Sequence, residues 1–494
     1  MSRAGVLALL LLLGLGGTPA LGQTAGSPTA PAAPARHLSL KDALRTGLST
    51  SPNLRQARVA VEQARLNVDA VGVQMNPTLS AGASYAYQFQ PVTTSNQSPL
   101  VTFLNRLVPG LIPVQKGNAN SVSGSATLQK LVTTFGRVQW ETTAARLALQ
   151  QWRSQYRSTL ETEIQNIEVA YMQALLAEGQ LDVARQVLAD QQALLENSRA
   201  RVQAGLNAEY DLIQFQSTVH SSEQQVEYAQ ANVDSAHVAL QALVGLPVTE
   251  VVTLDPLPDP VPPPRSLQEG LDRALRLRPD LVALDWGVRS ADAQVEASAR
   301  SSYPSVTVQS TYTGSAEFGQ DWSPTFVTSV AVQVPILDGG QARVQMDQAK
   351  VAVEQARASL EQMRRQVGQD VADAYISLTS TWRQLSQARA ALQSSSEALD
   401  IARLRFQAGL ANAVEVLNVQ NTYIAAAGQV TNLRGAYWIA QANWRRAISD
   451  SGDVELPEEV RMDPDMPAMP APDPAWELPP GSDGGPKPPE GGTP

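Results

Sequence analysis

The chain of 494 residues has no cysteine and only three histidines. Without thiols it forms no disulfide, offers no thiolate nucleophile and cannot carry a lipid-modified cysteine at a processed N-terminus. The histidines, His37, His220 and His237, make no constellation. The last two stand 17 residues apart on one helical run, a rotation of about 260° at roughly 100° per residue, so they do not share a ligand. No Walker loop, Gly-x-Ser-x-Gly turn or zinc signature occurs. No catalytic residue, cofactor or metal site is therefore expected; a secreted enzyme has no support, and any work the chain does must be driven by a partner. Aromatic residues are 5% of the chain, which favours helix–helix contact over a thick core. No apolar run reaches the length of a membrane-spanning helix.

A clustered basic face is also missing. The formal net charge is −10, and residues 452–494 hold ten Asp or Glu against two Lys or Arg, so the remainder is near neutral and nucleic acid is not an expected partner. The same stretch holds 12 of the 33 prolines, and residues 451–494 are read as an acidic, disordered tail. At the other end, Met1-Ser2-Arg3, an apolar run from Val6 to Leu15 and Thr18-Pro19-Ala20-Leu21-Gly22 have the three regions of a secretory signal peptide over residues 1–22. Residues 23–37 follow as a flexible linker.

What the chain has in abundance is helical periodicity. From Ala349 through Val353, Ala356, Leu360, Met363, Val367, Val371, Tyr375, Leu378 and Trp382 to Leu385, ten steps cover 36 residues without a proline, the period of a straight α-helix. The 67 residues from Gln341 to Gln407 would reach roughly 100 Å at about 1.5 Å per residue. Gly409 ends the run as a residue suited to a left-handed conformation.

This rod has a twin. Pro52 and Pro279 stand 227 residues apart, as do Pro77 and Pro304; Gly136 and Gly340 stand 204 apart, as do Gly205 and Gly409. The tetrapeptide Gln203-Ala204-Gly205-Leu206 recurs as Gln407-Ala408-Gly409-Leu410. The first copy is read over 38–246, with a helix at 38–76, strands at about 78–90 and 121–132, the long helix at 137–204 and a returning helix at 207–244. The second is read over 266–450, with a helix at 266–302, strands at about 304–313 and 325–336, the long helix at 341–408 and a returning helix at 412–449. A proline-rich, extended crossover at 247–265 joins them.

The strands carry the two-residue period. Leu79, Ala81, Ala83, Tyr85, Tyr87 and Phe89 alternate with small or polar residues. Each strand is about the length that crosses a tilted bilayer. Four strands close no barrel, and an open edge in lipid leaves backbone groups unpaired. Either the strands lie in water or several chains share one barrel; three chains would supply twelve strands.

The signal peptide, the duplicated helix–hairpin–helix unit, Leu337-Asp338-Gly339-Gly340 before the long helix and Phe406-Gln407-Ala408-Gly409-Leu410 followed by Val414-Glu415-Val416-Leu417 resemble the TolC family of outer-membrane efflux proteins. The resemblance covers the mature chain except its two ends. It implies a mainly α protein with a membrane β-barrel: a homotrimer whose 12-stranded barrel sits in outer-membrane lipid and continues into a long α-helical coiled-coil barrel in the periplasm. It further implies a passive duct of a tripartite efflux or type I secretion system, fed by an inner-membrane pump through a periplasmic adaptor (membrane fusion) protein. The other reading is a non-conducting periplasmic coiled-coil scaffold or adaptor.

By the same resemblance the adaptor docks at the helical tips, Gln203, Ala204, Gly205 and Leu206 in one copy and Gln407, Ala408, Gly409 and Leu410 in the other. The family's pore-facing acids one and two turns beyond the second tip fall on Glu415 and Asn418. Glu415 keeps an acid and, repeated around a threefold axis, would form a negative ring. Asn418 departs from the pattern, so the second ring lacks its charge. Asp211, at the offset of 204 from Glu415, is either a partner for a neighbouring helix or part of a solvated face.

Overall fold

The computed structural model describes residues 36–87, 103, 106–107, 120–204, 209–256, 258–264, 266–317 and 321–450. The order of elements is β1 (Arg36–Leu38), α1 (Leu40–Thr50), α2 (Pro52–Gly72), a 3-10 turn (Val73–Met75), β2 (Thr78–Tyr87), β3 (Asn120–Thr133), α3 (Arg137–Gln203) and α4 (Glu209–Val244). After the crossover come β4 (Val252–Leu254), α5 (Leu267–Leu277), α6 (Pro279–Ala299), β5 (Ser305–Glu317), β6 (Ser323–Gln333), α7 (Gln341–Gln407) and α8 (Ala413–Ala447). The helices α1 and α2 recur as α5 and α6 at an offset of 227 at both ends, and α3 recurs as α7 at 204.

The uninterrupted helices expected at 38–76 and 266–302 are each two helices. The first breaks at Ser51 and the second at Arg278, because the following proline has no N–H to give and is suited to the first turn of a new helix. A carboxylate from the adjacent long helix clamps each break. In the first repeat Glu163 accepts from Ser51 Oγ at 3.2 Å and Asn53 Nδ2 at 2.9 Å. In the second, Arg278 pairs with Asp280 at 2.6 Å and with Asp370 at 3.1 Å.

The linker at 23–37 and the crossover at 247–265 also contain structure that periodicity does not signal. Arg36–Leu38 pairs in parallel with Val252–Leu254, and the Tyr171 hydroxyl lies 3.0 Å from Leu38 O and 2.9 Å from Asp255 O. The strap is thus tied across the middle of α3. Nearby, α3 and α8 are joined by Glu161–Arg446 at 3.3 Å and Glu168–Arg445 at 3.0 Å. Burial pushes both carboxyls above the ordinary range, against the opposing pull of Ser449 and Arg446 on Glu161 and of Arg445 on Glu168.

The sheet is antiparallel in the order β2-β3-β5-β6. Register places the apolar residues on one face: Leu79 faces Leu128, Tyr85 faces Val122, Val308 faces Val330 and Tyr312 faces Phe326. The other face carries Ser84 opposite Ser123 and Thr127 opposite Thr311, with side-chain oxygens 2.8 and 3.4 Å apart. The apolar face is uncovered; Leu79 is 74% and Phe326 69% exposed. On it Trp322 lies over Gly124 and Gly314, where a Cβ on Gly314 would collide with the indole, and its Nε1–H donates to Tyr312 Oη. Among the described residues no helix is long and apolar enough to cross a membrane.

Candidate functional site

The far ends of the two rods carry the residues expected at the tip. The second is described throughout. Helix α7 ends at Gln407, Ala408 N–H bonds to Leu404 O, and Gly409 enters the left-handed region at φ 75°. This lets Gly409 N–H reach Phe406 O at 3.0 Å and Leu410 N–H reach Arg405 O at 2.8 Å, satisfying carbonyls the helix end would leave bare. Leu410 projects with 71% exposure. Asn412 then starts α8 by accepting Glu415 N–H at 2.8 Å.

In the first tip Gln203 closes α3 and Ala204 caps it; Gly205 and Leu206 lie outside the described residues. Gln203, Ala204, Gln407, Ala408, Gly409 and Leu410 are all exposed.

Glu415 and Asn418 are brought together on one side of α8, away from the buried Val416, Leu417 and Gln420. Glu415 is not a free carboxylate: its Oε1 lies 2.8 Å from Arg405 Nη1. Asn418 is exposed and its carbonyl accepts from Thr422. Asp211 falls in α4, and its side chain is outside the described set.

Several residues at the site were not among those expected. Arg201 lies over the Phe406 ring at 5.1 Å, and Arg403 pairs with Asp190 at 2.9 Å, so the two tips of one chain are bound together. Below them Leu194, Phe215, Phe406, Val416 and Leu417 form a small core, with Phe215 edge-on to Phe406 at 6.5 Å. One turn higher the packing becomes polar. Gln191 and Gln420 are each 1% exposed, yet among the described residues Gln191 Oε1 and both amide atoms of Gln420 have no hydrogen-bond partner. Each such atom costs about 1–3 kcal/mol, so this layer is held weakly beside the core beneath it. Arg201 and Arg405 occupy the same place in the two copies, a match the repeat itself displays.

A membrane-length sheet with an uncovered apolar face, continued by paired helices of 67 residues, is the build of an outer-membrane channel subunit. The profile of the family described as outer membrane efflux protein matches residues 43–246 and 270–449, and the chain belongs to that family. It is 26% identical to the outer membrane protein OprJ of Pseudomonas aeruginosa over 396 residues, 76% of each protein. It is 24% identical to the pyoverdine export outer membrane protein OpmQ of Pseudomonas putida over 289 residues, or 58% of this chain and 62% of that one. The matched stretch is thus less than two thirds of OpmQ. Among solved structures, the outer membrane protein VceC of Vibrio cholerae shares the fold with a TM-score of 0.68 at 20% identity, over 83% of this chain and 95% of that one.

Proposed function

We infer that three copies of this chain form a passive efflux duct through the outer membrane and periplasm. The observation that carries the reading is the sheet: four strands with an exposed apolar face, and with β2 and β6 unpaired along their outer edges among the described residues. In water that face would forgo about 1.5–3 kcal/mol for each large side chain left unburied. In lipid the face is satisfied, but the bare edges are not. Joining β6 of one copy to β2 of the next removes every edge and, with four strands from each of three copies, gives a barrel of twelve. The Ser and Thr face then lines the lumen.

At the other end the rods bring the tips to a periplasmic adaptor. Gln203, Ala204, Gly205 and Leu206, with Gln407, Ala408, Gly409 and Leu410, would meet it, Leu410 offering an exposed apolar side chain at a turn. The constriction is assigned to the level of Glu415, held by Arg405, and of the weak glutamine layer above. Adaptor contact at the tip would bias that layer toward an open arrangement. Energy comes from an inner-membrane pump; the cargo is a small molecule or polypeptide. A non-conducting scaffold would leave the apolar sheet face without a use. Ion conductance by the detergent-extracted protein in a planar bilayer tests the reading, and its absence from the assembled protein would overturn it.

A further inference from the structure

Polar side chains on the apolar face of the sheet find partners on that face. Ser310 Oγ lies 3.1 Å from Thr328 Oγ1, and Trp322 Nε1–H donates to Tyr312 Oη at 3.3 Å. Lys130 is different. It stands opposite Val308, whose next neighbour across the sheet is Val330, and the exposed Leu128 and Val132 flank it along β3. Lys130 is itself exposed and, among the described residues, has neither a hydrogen bond nor an ion pair.

No carboxylate is placed to answer it. Strands β2, β3 and β6 contain no Asp or Glu. The one acid of β5, Glu317, is in register with Ser121 at the opposite end of β3 from Lys130, roughly 30 Å away. A neighbouring copy would bring only β2 or β6 to the edges of the sheet, and so no acid either. Just beyond the sheet Glu141 is paired with Arg137 at 2.9 Å and Glu296 with Arg300 at 2.6 Å. Asp338 accepts the N–H groups of Gly340 and Ala342 at 2.9 and 2.8 Å.

Position along the strand brings a different anion within reach. Lys130 stands close to the rod end of β3 at Thr133, roughly 10 Å from it, and the flexible four-carbon stem of a lysine carries its ammonium toward the polar boundary. That boundary is marked by aromatic residues. Tyr303 and Phe135, just outside β5 and β3, are both about half exposed, and such rings sit at the level of lipid headgroups. Phe135 is held there against its own backbone. At φ 50° it occupies the left-handed region that its counterpart in the second copy, Gly339, enters at 62°, a strain that glycine would avoid.

We propose that Lys130 binds the phosphodiester of a glycerophospholipid in the periplasm-facing leaflet of the outer membrane, with Leu128, Val132 and Val308 against its acyl chains. The apolar surround favours a lipid over free phosphate, because the ammonium is set among side chains that only hydrocarbon can cover. The inference rests on the membrane barrel of three copies proposed above, which would carry three such sites.

The test is native mass spectrometry of the full-length protein, stripped of lipid in a maltoside detergent and titrated with phosphatidylglycerol. Three retained lipids in each particle are expected for the unaltered protein. Lys130→Met, which keeps the length of the side chain and suits a lipid-facing position, should bind roughly fivefold more weakly. Lys130→Arg should restore binding, and Lys350→Met, on the exposed side of α7, should leave it unchanged. Diacylglycerol, which lacks the phosphate, should not distinguish Lys130→Met from the unaltered protein, and inorganic phosphate at the same concentration should not displace the lipid. Equal retention of phosphatidylglycerol by Lys130→Met, or by Lys130→Gln where the first variant assembles poorly, overturns the site and leaves the barrel standing. Displacement by inorganic phosphate overturns the choice of a lipid. An unaltered protein that never forms particles of three copies overturns the barrel instead.

Discussion

Nη1 of Arg405 and Oε1 of Glu415 lie 2.8 Å apart across the turn at Gly409, so the acid assigned to the proposed entrance is paired within its own chain. Both side chains are about half exposed, and such a pair is worth on the order of 0–1 kcal/mol. Arg405→Ala should therefore leave the melting temperature nearly unchanged while releasing the carboxylate toward the lumen. Reversal potentials in a salt gradient should move to stronger cation preference for Arg405→Ala and to weaker preference for Glu415→Gln. A shift in the same direction for both would remove Glu415 from the pore.

Asp280 concerns stability instead. Burial pushes its carboxyl up, but hydrogen bonds and charge from Arg278 more than offset this and hold it below the ordinary range. Its contribution is present above the unfolded value of about 4 and is lost as pH falls through the lower folded value. Arg278 is itself 6% exposed, so Asp280→Asn leaves it short of a partner at a cost of about 3 kcal/mol. Denaturant melts should show that deficit in full between pH 5 and 7 and its progressive loss as pH falls below about 4 and through the lower folded value. A deficit that does not depend on pH would mean that lost packing, not charge, is responsible.

Gln420 has both amide atoms buried without a partner among the described residues. Replacing it with leucine, of similar size, removes a desolvation penalty of about 1–3 kcal/mol. Gln420→Leu is expected to raise the melting temperature and, by tightening the layer above the tip, to reduce the open time of single channels. A lower melting temperature would show that the amide is satisfied in the assembled protein and that the layer is not a weak point.

The legible part of this protein was the part built on repetition. The 3.6-residue period from Ala349 to Leu385 implied one rod, and Gly205 and Gly409 at a common offset implied the second and located both tips. The alternation from Leu79 to Tyr85 gave the sheet its apolar face. Local breaks were harder, because the apolar stripe continues through Ser51-Pro52 and Arg278-Pro279 while the backbone does not. Strands β1 and β4, of three residues each, are too short to show any period. At the site, Glu415 was identifiable by position, but its partner Arg405 was not. That contact exists only because the left-handed turn at Gly409 folds α8 back beside the end of α7. The burial of Gln191 and Gln420 was not legible, since nothing local in the sequence distinguishes a buried amide from an exposed one.

The central claim is that one chain supplies only part of a closed barrel. It is tested most directly by native mass spectrometry of the detergent-extracted protein, with the same preparation assayed for conductance in a planar bilayer. Three copies in each particle, with discrete conductance steps from that fraction, is the predicted result. A monodisperse single copy that carries no current would contradict it.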